Sequence, residues 1–350
     1  MNIRMVKANS LLSKQRMFDI QLRRKLFRWP FAVYFIMLLG CWLLWYLYTE
    51  PNSLALLEAN WPVSLTMIFG SFIAGATSEG GGAVAFPVFT KLLNIPPTTA
   101  KIFSLAIQSV GMTMASLMIL MLKVKVQWRM LLWASVGGVP GIFLSISILS
   151  SLIEPEVTKM SFTAMVSSFA VTLAILRFKG RGYNEDLNEF TGTEKLILLA
   201  AGFVGGLMSG LVGNGIDIIC FSVMVLLFRI RESVATPTSV ILMAINAIVG
   251  FALHVYYFQD FTPLIRNYWL AAIPVVIIGA PLGAFFCSKL NNDIIALILI
   301  VLILVELISS LWIIPLTKSV VVFSLAIGLV FAVAYYVMAS INKYNVDEER

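Results

Sequence analysis

The sequence predicts an all-α polytopic membrane protein, and three observations predict it. Of 350 residues, 59% are hydrophobic and only 12% are charged, about half the charged fraction of an ordinary soluble domain. The apolar residues gather into charge-poor stretches about as long as a bilayer core requires. Glycine-rich breaks recur at matching positions in the two halves of the chain. Together they predict two inverted repeats, each with a glycine-tipped helical hairpin, and about eight full crossings plus two hairpins.

The predicted spans follow from the length of the apolar stretches. Two stretches, 80–90 and 218–228, are too short to cross, since eleven residues of helix reach only about 16 Å. Each follows a long stretch that ends in glycines, so we interpret each pair as a hairpin that returns to the same face. If each hairpin instead made two full crossings, every other loop would still lie on the same side of the membrane, so the charges do not distinguish the two arrangements. The long stretches are 29–49, 59–78, 102–122, 130–153, 160–176, 196–216, 235–259, 267–288, 294–317 and 319–342.

Basic residues at the ends of these stretches predict a cytoplasmic N-terminus and a cytoplasmic C-terminus, because lysine and arginine stay on the inner side. The connection 49–61 has no basic residue and two glutamates, which places it outside. Every later loop fits this orientation if 59–95 and 195–231 are hairpins. The basic residues used are Arg4, Lys7, Lys14, Arg16, Arg23, Arg24, Lys25, Arg28, Lys123, Lys125, Arg129, Arg177, Lys179, Arg181, Lys195, Arg229, Arg231, Lys289 and Lys343.

The same pattern divides the chain into segments. Residues 11–27 mix basic and apolar side chains, which is typical of a helix lying on the inner leaflet. The central polar connection, rich in glycine, asparagine and charge, predicts a solvated linker. The predicted segments are a basic cytoplasmic segment 1–28, a first transmembrane helix 29–49, repeat 1 at 59–176, the linker 177–194, repeat 2 at 195–342 and a cytoplasmic tail 343–350.

Composition argues against several classes of function. The net charge of +7 comes from basic residues at the ends of spans, which argues against a nucleic-acid partner. The single histidine, His254, excludes a multi-histidine metal site. Cys41, Cys220 and Cys287 each lie in an apolar stretch without a CxxC motif, so we expect small buried hydrophobic side chains rather than ligands. No P-loop motif occurs, and no cofactor is predicted.

The two halves resemble each other at a fixed offset of 135 residues. After a six-residue insertion, Gly138–Pro140 matches Gly279–Pro281. Short glycine-interrupted segments at corresponding places in inverted halves point to a transport site near the middle of the membrane. The pairs are Gly70 with Gly205, Gly75 with Gly210, Gly80 with Gly215, Phe86 with Phe221, Ile95 with Ile230, Ala100 with Ala235 and Ser104 with Ser239.

These residues resemble a known family. Gly75–Gly82 (GATSEGGG), Pro87 and Pro96–Ala100 (PPTTA) resemble the first half of the sulfite exporter TauE/SafE family, and Gly210–Gly215 (GLVGNG) with Ala235 and Ser239 resembles the second. The resemblance covers roughly residues 60–340. It implies export of sulfite or related sulfur-containing anions, often organosulfonates, across a cytoplasmic membrane. The second tip departs from the family pattern at Asn214 and Asp217. The position of the second half that matches Pro87 holds a serine, Ser222.

The candidate anion-binding residues lie at the two tips and on the helices that follow them. Glycine lets the backbone turn sharply and present N–H groups, and the start of a half-helix favours an anion. Close helix packing is the alternative for these glycines, and the one we favour for Gly75 and Gly210. The candidates are Thr77, Ser78, Gly80, Gly81, Gly82, Ser104, Gln108, Asn214, Gly215 and Ser239.

Acidic residues beside the tips are candidates for coupling. A carboxylate in the membrane is costly unless it is paired, hydrated or protonated, so Glu79 and Asp217 are predicted proton carriers. Na⁺ coordination is the competing role, and Glu79 as a helix cap is the simple structural alternative. Glu306 either moves protons or occupies an interfacial or interhelical position. Lys101 either attracts an anion at the outer mouth or extends its amine to the interface.

The predicted function is a secondary transporter of a small sulfur-containing anion, with proton coupling, in the cytoplasmic membrane. Its predicted partners are the anion and lipid, and the sequence leaves a homo-oligomer open. An ion channel and a membrane scaffold are the alternatives. An intramembrane serine protease would need Ser209 and His254 within hydrogen-bond reach, and no enzyme is predicted.

Overall fold

A computed structural model describes residues 31–81, 85, 88–178, 182–187 and 190–341. The predicted basic helix at 11–27 and the tail 343–350 lie outside these residues. The chain divides into two compact units, Met1–Tyr48 and Thr49–Arg350. The first unit contributes one described helix, and all the contacts below lie within the second unit.

Ten helices of the described chain are long and apolar enough to cross a membrane. Each predicted long stretch overlaps one of them, so the all-α polytopic class is confirmed. The ten helices are α1 (Phe31–Thr49), α2 (Ser53–Ala76), α3 (Pro97–Met121), α4 (Trp128–Leu152), α5 (Pro155–Arg177), α6 (Gly192–Val212), α8 (Glu232–Tyr257), α9 (Pro263–Cys287), α10 (Asn292–Ile313) and α11 (Lys318–Ser340), and the shorter apolar helix is α7 (Ile216–Leu227).

Helix α5 is longer than its predicted stretch of 160–176, which was too short. It begins at Pro155, a residue suited to the first helical turn because proline lacks only an N–H that would be unbonded there. Glu156 follows in the same turn, where the negative charge of an acidic side chain interacts favourably with the helix dipole. The helix therefore includes Lys159, a charged residue that a hydropathy search treats as a boundary.

The short helix α7 is enclosed by protein. All of its twelve residues, Ile216–Leu227, are buried, and at 1.5 Å per residue it reaches about 18 Å. Two glycines with positive φ set its start: Gly213 (φ 95°) ends α6, and Gly215 (φ 145°) precedes α7. Enclosure by protein is what a short helix with free backbone groups at its start requires inside a membrane.

The chain following each tip has the same local backbone in both halves. π-Helical turns occupy Val88–Leu92 and Val223–Leu227, at the offset of 135 residues. Each turn is followed by a non-glycine residue with positive φ, Asn94 at 52° and Arg229 at 55°. This likeness supports the internal repeat, while the opposite orientation of the halves in the membrane stays a prediction.

Helices from the two halves pack on each other through small residues. Helix α2 packs on α9, and α4 packs on α6. A Cβ atom on Gly75 would lie 1.9 Å from the carbonyl oxygen of Ala280, and one on Gly210 would lie 2.5 Å from the Cβ of Ser145. Both glycines thus serve close helix packing, as favoured from the sequence.

The described part of the central linker is docked through hydrogen bonds while its residues stay exposed or half-buried, and the solvated linker stays a prediction. The N–H of Asn184 donates to the carbonyl of Arg229 (2.7 Å), and the N–H of Arg231 donates to the carbonyl of Asn184 (3.1 Å). The side chain of Asn184 also donates to the carbonyl of Phe228. The Glu185 carboxylate pairs with Lys125 (3.4 Å) and Arg231 (2.8 Å). These contacts tie the linker to the chain that leaves α7.

Replacing Glu185 with alanine should change stability very little. Its side chain is 55% exposed, and those of its partners Lys125 and Arg231 are 46% and 44% exposed, so each pair contributes at most about 1 kcal/mol. We expect the melting temperature in detergent to fall by no more than about 3 °C, and less at high salt. A larger fall that salt does not change would mean that the carboxylate does more than pair with exposed cations.

Candidate functional site

The first tip, residues 77–81, follows directly from the end of α2. Its five residues are all buried. The Thr77 hydroxyl donates to the carbonyl of Ile73 (3.0 Å), so it turns back to its own helix. The Ser78 hydroxyl is buried without a hydrogen-bond partner among the described residues, and the buried Glu79 carboxylate interacts with that of Glu306. Gly80 has φ 77°, a conformation that favours glycine, and Gly82 lies outside the described residues.

The second tip connects α6 to α7 and is held by its own side chains. The Asp217 carboxylate accepts the Gly215 N–H (2.9 Å) through Oδ1, while Oδ2 is buried without a partner in the described chain. The Ser209 hydroxyl accepts the N–H of Ile216 (3.1 Å). These bonds satisfy backbone donors at the start of the short helix.

The two tips touch each other. The side-chain amide of Asn214 donates to the backbone carbonyl of Glu79 at 3.0 Å. These residues occupy matching positions in the halves, 135 residues apart. A Cβ on Gly80 would lie 3.4 Å from the Asn214 amide nitrogen and 3.5 Å from Asp217 Oδ2. The tips therefore meet through one polar contact between equivalent positions.

Helix α3 contributes two predicted residues to the second tip. The Gln108 amide donates to the carbonyl of Gly213 (3.1 Å) and to the hydroxyl of Ser104 (2.7 Å). The Ser104 hydroxyl also donates to the Gly213 carbonyl (3.2 Å). Because Ser104 and Gln108 are four residues apart, they share the helix face that this carbonyl contacts. The matching residue Ser239 instead donates to the carbonyl of Thr236 on its own helix, α8.

A cavity of about 70 Å³ lies beside the tips. Apolar residues form most of the wall, and α3 contributes more of them than any other helix. The polar and charged side chains in the wall are Ser71, Lys101, Ser104, Gln108, Thr158, Lys159 and Asn214, and Gly81 contributes backbone.

A group of buried charges adjoins this cavity. The Lys159 ammonium is 2.5 Å from Glu306 Oε1, and these residues are 4% and 2% exposed. The hydroxyl of Thr163 donates to the same carboxylate oxygen (3.3 Å). The Glu79 carboxylate interacts electrostatically with Glu306, Lys159 and Asp217. Three carboxylates and one ammonium thus share a water-poor region.

Sequence reasoning missed Lys159. It placed Lys159 outside the span and considered Glu306 alone, although the ammonium pairs with Glu306 in the folded chain. The only feature of the sequence that could have indicated this pair is that Lys159 and Glu306 are single charges of opposite sign, each in or next to an apolar stretch. Lys101 lines the cavity as well, and it interacts electrostatically with Asp260, which pairs with His254 at 2.7 Å.

Comparison with known families identifies the family of this chain. The family profile described as Sulfite exporter TauE/SafE matches residues 63–310, which is more than half of the 350-residue chain. The chain belongs to the TauE/SafE family. No curated protein and no solved structure matches it. As a TauE/SafE member with ten apolar helices, it is a multi-pass membrane transporter.

The alternative of an intramembrane serine protease gains no support from the described contacts. The Ser209 hydroxyl is bound to the N–H of Ile216, and the described partner of the His254 ring is Asp260. The TauE/SafE membership also points to a transporter rather than an enzyme. Among the described residues, no three or more His, Cys, Asp or Glu side chains are placed so that they could hold a metal ion.

Proposed function

We propose that this TauE/SafE protein is a secondary transporter that carries sulfite or a related sulfur-containing anion, organosulfonates included, across the cytoplasmic membrane. The anion binds in the cavity beside the two tips, and transport proceeds by alternating access with proton coupling. The observation that carries this proposal is a cavity next to the contact between the tips, with two lysines and two side-chain amides in its wall.

The cavity wall suits a small oxyanion. Lys101 and Lys159 supply positive charge, and charge-assisted hydrogen bonds to oxyanions are the strong ones. The hydroxyls of Ser104 and Thr158 and the amides of Gln108 and Asn214 are neutral donors that can fix the orientation of sulfonyl oxygens. The apolar remainder of the wall suits the carbon chain of an organosulfonate.

Alternating access is supported by the way the halves contact each other. The contact between Asn214 and Glu79 joins equivalent positions of the repeats, and α2 and α6 each pack on a helix of the other half. With inverted orientation, exchanging the conformations of the two halves would expose the cavity first on one side and then on the other.

Proton coupling is supported by the carboxylates at the tips. Glu79 and Asp217 are fully buried; Glu79 interacts with Glu306, and Oδ2 of Asp217 has no hydrogen-bond partner among the described residues. A buried acidic residue beside a transport cavity is the usual arrangement of a proton relay. A proton carried on Glu79 would offset the charge of the anion during its passage.

Flux into proteoliposomes tests this function. We expect vesicles loaded with unlabelled sulfite to accumulate radiolabelled sulfite by exchange, and an imposed proton gradient to speed net flux in wild type. Glu79→Gln should lose at least about tenfold of the gradient-driven component, because the amide carries no exchangeable charge. Glu58→Gln is the matched control, since Glu58 is an exposed residue of α2, the helix that precedes the first tip.

Each other result has a defined meaning. Flux that shows neither exchange nor gradient stimulation would indicate a channel. Equal gradient-driven flux in wild type and Glu79→Gln would remove Glu79 from coupling. No flux above empty vesicles with sulfite, taurine and ethanesulfonate would contradict the transport of sulfur-containing anions and favour a scaffold.

A further inference from the structure

Lys159 belongs both to a buried ion pair and to the wall of the cavity. Its ammonium forms the buried pair with Glu306, and its side chain also belongs to the wall of the cavity beside the tips. It also lies over the ring of Phe162, with 5.1 Å between the ammonium and the ring centroid. The one strongly buried cation of the described cavity wall is thus engaged by a carboxylate.

Such a pair is not explained by stability. Removing two charges from water costs several kcal/mol per ion, and replacing a buried pair with apolar side chains is often neutral or stabilising. Ionisable residues inside a membrane protein are therefore functional by default. The pair joins α5 to α10, which pack on each other through many apolar residues as well.

The charges around Glu306 indicate what the pair can do. The carboxylates of Glu79 in the first tip and Asp217 at the start of α7 both interact electrostatically with Glu306, and Lys159 supplies the positive charge. Thr163 donates to Glu306, and Ser310 shares a hydrogen bond with Thr163 (3.1 Å). An entering anion therefore meets a lysine whose charge is already offset by a carboxylate, next to further negative charge.

A proton would change this balance. Two carboxylates that face each other can hold one proton between them, as in paired acids of known sites. With a proton shared by Glu79 and Glu306, the negative charge opposite Lys159 falls by one and the ammonium is available to an anion in the cavity.

We propose that Lys159 is a ligand of the transported anion. The anion replaces Glu306 as the partner of the Lys159 ammonium when one proton from water binds to the Glu79–Glu306 carboxylate pair. On release the proton leaves, and Lys159 pairs again with Glu306. No covalent bond is made or broken, and one anion enters with one proton. This inference rests on the proposed function and adds the residue that links anion binding to protonation.

Equilibrium binding of sodium sulfite to the purified protein tests the proposal, with affinity measured between about pH 6 and pH 8. Sulfite itself titrates near neutral pH, but equally for every variant, so the ratio of affinities between two variants reports the protein alone. Glu306→Gln should bind sulfite at least about tenfold more tightly than wild type at pH 8, because Lys159 is released without a proton. This advantage should shrink toward pH 6, where protonation releases Lys159 in wild type too.

Removing the lysine should have the opposite effect. Lys159→Met should bind sulfite at least about tenfold more weakly at both ends of the pH range. Because a single substitution leaves one buried charge unpaired, the double variant Lys159→Met/Glu306→Gln is included. It should keep a melting temperature near that of wild type and still bind about tenfold more weakly. The matched control is Lys125→Met/Glu185→Gln, an exposed pair outside the cavity wall, which should bind within twofold of wild type.

The contrary results separate two failures. If wild type binds sulfite and the folded double variant binds it equally well, Lys159 is only a structural clamp and this inference is wrong. An affinity ratio between Glu306→Gln and wild type that stays at one across the pH range would also overturn it. If folded wild type neither binds nor transports sulfite or ethanesulfonate, the proposed function itself fails, and the inference fails with it.

Discussion

Replacing Gly75 with alanine should prevent α2 from packing in its place on α9. The added Cβ would lie 1.9 Å from the carbonyl oxygen of Ala280 and 2.7 Å from its carbonyl carbon. Backbone cannot rotate away as a flexible side chain can, so the two helices must separate and lose contacts along their length. We expect a loss of about 3 kcal/mol or more in stability, measured as a fall of the melting temperature in detergent and a lower yield of monodisperse protein.

Gly192→Ala is the matched control for this prediction. No atom lies within 4 Å of a Cβ built on Gly192, and alanine is the better helix former at the start of α6. The control should melt at the wild-type temperature or slightly higher. A Gly75→Ala protein that melts like Gly192→Ala would show that the α2–α9 contact is looser than the structure has it.

Replacing Asn214 with alanine should reduce sulfite exchange by at least about tenfold. The substitution removes the hydrogen bond that joins the two tips and leaves the buried carbonyl of Glu79 without this donor. The cost to stability should be about 1–2 kcal/mol, as for other buried hydrogen bonds that lose one partner. Flux should fall far more than stability, because Asn214 also lies in the cavity wall.

The measurement is the initial rate of exchange at equal amounts of reconstituted protein, together with the melting temperature. Asn60→Ala is the control, since Asn60 also donates a 2.9 Å hydrogen bond, to the carbonyl of Leu56 in its own helix. It should keep most of the wild-type exchange rate. Wild-type exchange by Asn214→Ala would mean that transport does not depend on the contact between the tips.

Most of the candidate site could be found from residue types and spacing. Glu79 and Asn214 were both singled out because each sits among glycines at matching places in the two halves. Ser104 and Gln108 were paired by their spacing on one helix face, and the structure places both on the Gly213 carbonyl. Such residues are recognisable because glycine breaks and helical spacing are local features of the sequence. Their roles in binding and coupling stay predictions.

Other members of the site could not be found in this way. Lys159 and Glu306 are 147 residues apart, and no local pattern relates them. Ser239 matches Ser104 in the repeat, yet it bonds to its own helix. The position equivalent to Gln108 is Met243, an apolar residue that lies against Gly80 of the first tip. Repeats of similar sequence therefore give unequal surroundings to their two tips.

The sequence by itself determined that lipid surrounds most of this protein, and it determined the ten apolar helices and the two glycine tips. Hydropathy and glycine content act within one helix or one turn, and lipid requires each long span to satisfy its own backbone. Only the tertiary structure decided that the tips meet through Asn214 and that Lys159 faces both Glu306 and the cavity. These contacts depend on which helix faces pack together, and that packing is set by side-chain shapes from distant parts of the chain.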